Sequence, residues 1–163
     1  MIVNIATITT MSNINTQVFL GGSCNPTTWR KDIAIPRLEA EGISFYNPQV
    51  EDWHEGLVQL EAEAKAESEI LLFVIDKDTR AIASILEATE YTVAGRNVFL
   101  VVDNMVDGVE VDGEQITGRQ LKDLNRARAY LRDLASRHSN AMVFETIEQA
   151  VHAAVAQLCD TTT

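Results

Sequence analysis

Glu87 is the residue whose type and position are best suited to chemistry in this chain of 163 residues. It lies in the segment 70–102, where two short apolar runs, Ile70–Ile75 and Val98–Val102, flank a stretch of helical period. Such runs predict neighbouring parallel strands joined by a helix. Ligands of open α/β folds bind where the carboxyl ends of the strands meet the starts of the helices. A carboxylate at that edge can act as a nucleophile or as a general acid.

Ser84 gives Glu87 a second interpretation, because Ser84-x-x-Glu87 fits a capping box. In that motif the glutamate side chain binds the backbone N–H of the cap residue and has no part in chemistry. On the residues alone we favour the cap, since capping boxes are far commoner than catalytic carboxylates. Three other polar residues are expected at the same edge of the sheet: Asp76, Asp78 and Thr79.

A glycine-rich turn follows the first predicted strand, residues 17–20. Glycines at Gly21 and Gly22, before Ser23, let the backbone approach a ligand closely, and the N–H groups of the next helix can face a phosphate or a sugar hydroxyl. The turn has neither the Lys-Ser/Thr pair of a P-loop nor the spacing of a dinucleotide fingerprint. An ordinary strand-to-helix turn therefore remains open.

A second loop, Asn47-Pro48-Gln49, follows a short predicted strand at residues 43–46. Proline disfavours the helical region for the residue before it, so this loop is expected at the same edge of the sheet as the glycine-rich turn. An amphipathic helix of about three turns follows, marked by Leu57, Leu60 and Ala64. Its other acids are expected on solvated surface, but Glu61 lies one turn from Leu57, close to the buried stripe.

The remaining patterns predict elements that support this edge. A helix over residues 27–41 is expected to kink or split at Pro36. Asp112-Gly113 predicts a small surface hairpin, and Thr117 with Gln120 predicts a capping-box start for a long helix. That helix is expected to expose a basic face, most simply a solvated surface and alternatively a subunit contact. The face consists of Arg119, Lys122, Arg126, Arg128 and Arg132.

The order of the elements predicts an α/β fold. Strand and helix alternate five times, ending with a strand at Ala141–Phe144 and a terminal helix, which gives a five-stranded doubly wound parallel sheet with helices on both faces. This is a Rossmann- or flavodoxin-like three-layer sandwich, with Phe73, Val74, Leu100 and Val101 expected at its centre. We expect residues 17–160 to form a single domain and residues 1–16 to form a flexible arm.

Composition excludes several classes of protein. A formal net charge of −11 argues against a binder of duplex nucleic acid but is compatible with a small nucleotide. No apolar run approaches the ~20 residues that span a bilayer, and no signal peptide opens the chain, so we expect no membrane partner and a cytoplasmic location. Cys24, Cys159 and the three histidines lack the spacing of a zinc site, and no metal or cofactor is predicted.

Four segments resemble the nucleoside 2-deoxyribosyltransferase-like family, in the order VFLGGS, FYNPQVEDW, AESEILLFVI and TRAIASILEATEYTVAGRNVFLVV. In that family the glutamate at the position of Glu87 is the nucleophile that attacks C1′ of a 2′-deoxyribonucleoside and expels the base, and a glycine follows where Gly95 stands here. A sugar without a 2′-hydroxyl supports positive charge better, so a carboxylate can capture it as a glycosyl-enzyme. The resemblance reverses the preference for the cap, and implies cleavage or transfer of the N-glycosidic bond of a deoxynucleoside or its 5′-monophosphate.

The resemblance also implies the surroundings of the nucleophile. Asp78 or Glu61 would be the acidic partner of Glu87, Glu61 would contact the base, and Asp76 or Asp78 would compensate for Ala81, which replaces an acidic residue. Ser23 and Ser84 hold positions that contact sugar or 5′-phosphate in nucleotide-hydrolysing relatives. The substrate-binding set is Gly21, Gly22, Ser23, Asn47, Gln49, Trp53, Glu61, Asp76 and Ser84. We further expect a homo-oligomer, a dimer or larger.

Phe19 stands where members of the family have a tyrosine whose hydroxyl orients the catalytic glutamate, and Phe cannot donate that bond. This departure leaves a catalytically silent nucleotide-binding module open as an alternative. A third hypothesis is a phosphoacceptor domain built on Asp76. It would need a lysine after the fifth strand, where the chain reads Met142-Val143-Phe144-Glu145.

Overall fold

The computed structural model describes residues 16–52 and 54–160. The expected arm therefore lies outside the described residues except for Thr16, which is buried. Trp53 also lies outside them. None of the helices in the described ranges is both long and apolar enough to cross a membrane.

The described part of the chain contains seven strands, which form a sheet and a hairpin. They are β1 (Val18–Gly22), β2 (Phe45–Tyr46), β3 (Ile70–Ile75), β4 (Val98–Val102), β5 (Val109–Val111), β6 (Glu114–Ile116) and β7 (Ala141–Phe144). Five of them form an all-parallel sheet in the order β2-β1-β3-β4-β7, with Phe73 of β3 opposite Leu100 of β4. The predicted five-stranded doubly wound parallel sheet is confirmed. Every residue of β3 is buried, as its unbroken apolar run requires.

Residues 16–52 and 54–160 contain five α-helices, of which the first four connect strands and the last follows β7: α1 (Ile35–Ala40), α2 (Leu57–Glu67), α3 (Ile82–Val93), α4 (Gly118–Ser136) and α5 (Ile147–Asp160). A π-helical turn at Arg30–Ala34 precedes α1. The predicted split at Pro36 is not observed, because the chain changes from π-helical to α-helical hydrogen bonding beside this residue without leaving the helix. Proline has no N–H to donate to the carbonyl four residues earlier, which fits the change of helix type. The wider hydrogen-bonded turn passes into α1 at this point, with Pro36 in its first turn.

The core has two halves, one on each face of the sheet. Alternate residues of β1 and β3 enter opposite halves, as the two-residue period of a strand dictates. Leu20 and Leu72 pack with α1 and α5, whereas Phe19 and Phe73 pack with α3 and α4. The helix after β1 and the helix after β3 therefore lie on opposite faces of two adjacent strands. The strand order makes this pair the topological switch point, where doubly wound folds open a crevice.

Both predicted capping boxes are wrong. The residue before α3 is Ala81, in a left-handed conformation with φ of 52°, so Ser84 lies within the helix and cannot be its cap. Thr117 does precede α4, but its side chain makes no capping hydrogen bond. The start of α3 is instead set by the loop from β3, which delivers the chain into the helix three residues earlier than the motif predicts. Glu87 is thus free of the structural role that Ser84 would have given it.

The predicted hairpin is confirmed and also contacts the loop before α3. Asp112 and Gly113 connect β5 to β6 with positive φ at both positions, which favours a tight two-residue turn. Arg80, just before α3, pairs with Asp112 at 3.1 Å and with Glu114 at 2.5 Å. The hairpin is therefore tied by ion pairs to the loop before α3, and its remaining surface is solvated.

The predicted solvated basic face of α4 is wrong for Arg128. Its side chain is fully buried, whereas Arg119, Lys122 and Arg126 are exposed as expected. Arg132 is only partly exposed, and its guanidinium donates a 3.0 Å hydrogen bond to the carbonyl oxygen of Val102. A charged side chain can be buried when carbonyl oxygens satisfy its donors, and α4 packs against strand ends that supply them.

Candidate active site

A cavity of about 360 Å³ lies at the carboxyl ends of β1 and β3. It is lined by the end of β1 and the turn after it, by Pro48, by α2 and by the first turns of α3. Six of the residues singled out from the sequence meet there: Gly21, Gly22, Ser23, Glu61, Ser84 and Glu87. Phe19 and Cys24 complete the wall nearest β1. Two carboxylates thus border one cavity at the edge where the fold is expected to bind ligands.

The loop after β2 lies beside the cavity, but its two amide side chains do not line the cavity. Gln49 donates from Nε2 to the carbonyl oxygens of Cys24 at 2.5 Å and Thr27 at 3.0 Å. Asn47 accepts the backbone N–H of Gln49 at 3.0 Å through Oδ1. The cavity lining between these residues is Pro48. Gln49 therefore holds the two loops together, Asn47 stabilises the turn of its own loop, and neither lines the cavity as predicted.

Asp76 and Asp78 are likewise outside the cavity lining. The carboxylate of Asp76 accepts the backbone N–H of Asp78 at 2.8 Å and the hydroxyl of Thr79 at 3.0 Å. Asp78 pairs instead with Lys77 at 3.0 Å, and half of its side chain is exposed. The expectation that Asp78 lies in one pocket with Glu87 is wrong, because the tight turn made by Asp76 leaves Asp78 beside a surface lysine. Both oxygens of Asp76 are occupied, which does not favour the phosphoacceptor hypothesis.

The two glycines at the end of β1 are required by the sheet itself. A Cβ at Gly21 would lie 2.5 Å from the ring of Phe73, and one at Gly22 would lie 2.3 Å from the carbonyl oxygen of Val74. Gly22 also has φ of 116°, which side chains rarely adopt. Parallel pairing of Gly21 with Phe73 and of Gly22 with Val74 extends β1 two residues beyond the predicted end at Leu20. The same residues expose their backbone to the cavity, as the glycine-rich turn predicted.

Arg30 holds the turn that follows β1. It is fully buried, and its guanidinium donates to the carbonyl oxygens of Leu20 at 2.9 Å, Gly22 at 2.8 Å and Ser23 at 3.0 Å. Burial lowers the pKa of Arg30 to about 10, although the nearby Cys24 and acidic residues oppose that change. The first wall of the cavity is therefore a loop whose carbonyls point to a buried cation.

Arg128 does the same for the loop between β3 and α3. Its guanidinium donates to the carbonyl oxygens of Thr79 at 2.7 Å, Asp76 at 2.9 Å and Asp103 at 2.9 Å. Burial lowers the pKa of this guanidinium as well. Neither buried arginine can be predicted from the sequence, because their partners are backbone carbonyls that any residue provides. The helical pattern of α4 alone places Arg128 on the exposed basic face.

Lys65 is the residue of the site that sequence reasoning missed. It lies on α2 and its ammonium binds Oε1 of Glu87 in an ion pair. Only 8% of the Lys65 side chain is exposed, against 35% of that of Glu87. A signal was present in the sequence, because Lys65 follows Glu61 by four residues and so lies on the same face of the helix. From that face of α2, Glu61 reaches the cavity and the ammonium of Lys65 reaches Glu87.

Cys24 reports the electrostatics of the cavity. Burial raises the pKa of its thiol, Glu61 and Glu87 raise it further, and Arg30 opposes the rise. The pKa of Tyr46 is also raised, first by burial and then by Glu61. A thiol in such surroundings stays protonated and is a poor nucleophile. The carboxylates are therefore the groups of this cavity that can attack an electrophilic carbon.

One protein family matches the part of the chain that contains the cavity residues. A family model described as nucleoside 2-deoxyribosyltransferase like matches residues 15–105, more than half of the chain. The matched range runs from before β1 to just beyond β4, and it includes Glu61, Lys65 and Glu87. A search of curated proteins finds no match.

Proposed function

This chain belongs to the nucleoside 2-deoxyribosyltransferase-like family, and we propose that it cleaves or transfers the N-glycosidic bond of a 2′-deoxyribonucleoside or its 5′-monophosphate through a carboxylate nucleophile. The observation that carries this proposal is that Glu87 and Glu61 line the same cavity at the switch point of the sheet. The failure of the capping box adds support, because it removes the capping role that Ser84 would have given Glu87.

Glu87 is the proposed nucleophile. One of its carboxylate oxygens attacks C1′, the C1′–N bond breaks, and its electron pair leaves with the base. This forms a covalent glycosyl-enzyme and spares the sugar from existing as a free cation. Water or a second base then attacks C1′ from the opposite face and releases the Glu87 carboxylate. The first acceptor gives hydrolysis and the second gives transfer.

Glu61 is the proposed proton donor and base contact. A departing base needs a proton, and paired carboxylates divide such roles when one is ionised and the other is protonated. Glu61 lines the cavity with Glu87, whereas Asp78, the other predicted partner, does not. We therefore assign the acid role to Glu61. In the second step the same residue accepts the proton of the attacking water.

The walls of the cavity fit a small nucleoside. Its volume of about 360 Å³ falls in the range of small-molecule sites. Ser23 and Ser84 offer hydroxyls to the sugar or its 5′-phosphate, and the first turn of α3 brings backbone N–H groups to the same side. Pro48 provides apolar surface against which a base can pack.

Base release from a panel of substrates tests the proposal. The purified protein is incubated with deoxynucleosides, their 5′-monophosphates and the ribonucleoside counterparts, with and without a second free base, and the products are separated by chromatography. We expect free base or exchanged nucleoside from deoxy substrates. Glu87→Gln should abolish the reaction, whereas Glu90→Gln, an exposed glutamate on the same helix, should not.

The absence of base release from every substrate would contradict the proposal. Binding of a deoxynucleoside without turnover, measured by calorimetry, would then favour the silent nucleotide-binding module. Retained activity in Glu87→Gln would remove this residue from the mechanism. The expected homo-oligomer stays a prediction, which light scattering on the eluting protein tests.

A further inference from the structure

Lys65 is a lysine buried between two helices, with its ammonium against the nucleophile proposed above. Burying an ammonium is costly unless it is paired and its donors are satisfied. Glu87 supplies the paired charge. Two aromatic rings supply further contacts, since the ammonium lies 5.3 Å from the ring centroid of Phe19 and 5.9 Å from that of Tyr91. Rings at these distances attract a cation through their faces.

The aromatic wall restricts where this ammonium can go. Phe19 stacks on Tyr46 with ring centroids 5.5 Å apart, and Phe73 lies between Phe19 and Tyr91 at 6.3 and 6.5 Å. Phe73 is fully buried, so this wall belongs to the rigid centre of the sheet. The Lys65 side chain is therefore held by packing against these rings and by the ion pair of its ammonium with Glu87.

The ion pair engages one side of the Glu87 carboxylate. Lys65 donates to Oε1, and within the described ranges no hydrogen bond to Oε2 is formed. A carboxylate fixed at one oxygen keeps the other available for attack. Phe19, also beside the cavity, has no polar atom with which to orient Glu87.

We propose that Lys65 is the positioning residue of Glu87: its ammonium fixes the carboxylate through Oε1 and leaves Oε2 to attack C1′. The inference rests on the proposed function of Glu87. Lys65 also has a part in the second step, because the Glu87 carboxylate regains its negative charge next to the Lys65 ammonium when it leaves C1′. Lys65 itself touches neither the sugar nor the base.

Kinetics of Lys65 variants provide the first test. Lys65→Met keeps an unbranched side chain without the charge, Lys65→Arg keeps the charge, and Lys122→Met is the control at an exposed lysine of α4. We expect Lys65→Met to lower kcat by about 100-fold with KM within about threefold, because a misplaced reacting group costs about that much in rate. Lys65→Arg should recover most of the rate, and Lys122→Met should match the parent.

The folded fraction of the same variants separates positioning from a merely structural role. A structural role would lower the rate of Lys65→Met only in proportion to its folded fraction, which circular dichroism measures, whereas a positioning role lowers kcat per folded molecule. A kcat per folded molecule of Lys65→Met equal to that of the parent would overturn the proposal.

A thermal-unfolding cycle tests the pair without relying on activity. Glu87→Gln leaves the buried ammonium of Lys65 without its counter-charge, so its Tm should fall below that of the parent. Adding Lys65→Met to Glu87→Gln removes that ammonium and should raise Tm above that of Glu87→Gln alone. Additive losses in the cycle would overturn the positioning role even in an active enzyme. A parent that releases no base would instead refute the proposed function, while a coupled cycle would still support Lys65 as the residue that holds Glu87.

Discussion

Arg128 of α4 donates a 2.7 Å hydrogen bond to the carbonyl oxygen of Thr79, a residue 49 positions earlier in the chain. The same guanidinium binds the carbonyl oxygen of Asp76, so both ends of the turn after β3 are tied to one buried cation. α3 starts directly after this turn and carries Glu87 to the cavity. The position of the proposed nucleophile thus depends on a helix outside the range that the family comparison covers.

Arg128→Met should destabilise the fold and disturb the cavity together. It leaves several carbonyl oxygens without donors, and each buried unsatisfied group costs about 1–3 kcal/mol. We expect a loss of about 3 kcal/mol in the free energy of unfolding in urea, from these terms after partial relaxation. Arg126→Met, at an exposed position of the same helix, is the control and should change it little. Equal stability of the two variants would contradict the role given to Arg128.

The sequence predicted the elements that rest on local pattern. The apolar runs at β3 and β4 and the Asp112-Gly113 turn were predicted at their observed positions, because burial on both faces and positive φ leave a direct mark on residue type. The sequence also predicted that most of the residues that line the cavity lie together, since the carboxyl ends of parallel strands meet at one edge.

What the sequence missed depends on contacts between distant residues. Arg30, Lys65 and Arg128 were not expected to be buried, because a charged side chain is exposed unless tertiary structure gives it partners. Those partners are carbonyl oxygens and one carboxylate that the fold brings from elsewhere. The predicted place of Asp78 in the cavity is wrong for the same reason. Whether an acidic residue after a strand faces the cavity depends on how the following turn closes.

Gly22→Ala should test how tightly β1 approaches β3. The new Cβ would overlap the carbonyl oxygen of Val74 and would force a positive φ on alanine. We expect a loss of about 2–5 kcal/mol in the free energy of unfolding, from the left-handed backbone and the overlap together. Gly42→Ala is the matched control, because Gly42 also has a positive φ but open space around it. The difference between the two variants, measured in urea, isolates the steric part.

Phe73→Ala should cost roughly 3–5 kcal/mol in the free energy of unfolding, because it empties the centre of one half of the core. The ring also fills the space left by Gly21 and separates Phe19 from Tyr91, so its loss should loosen the wall behind Lys65. Leu86→Ala, at an exposed position of α3, should be nearly neutral. An equally small loss of unfolding free energy in Phe73→Ala and Leu86→Ala would contradict the central position of Phe73 in the core.

Cys24 gives a chemical probe of the cavity that needs no turnover. Because burial and the two carboxylates raise the pKa of its thiol above the usual value near 9.0, less thiolate is present at pH 8 than an ordinary cysteine would have. Alkylation by iodoacetamide should therefore be slow at Cys24 and should rise steeply only above pH 9, whereas the exposed Cys159 serves as an internal reference. Peptide mass spectrometry measures both rates in one sample. A deoxynucleoside that occupies the cavity should slow the reaction of Cys24 and leave that of Cys159 unchanged; equal slowing of both, or of neither, would argue against binding in this cavity.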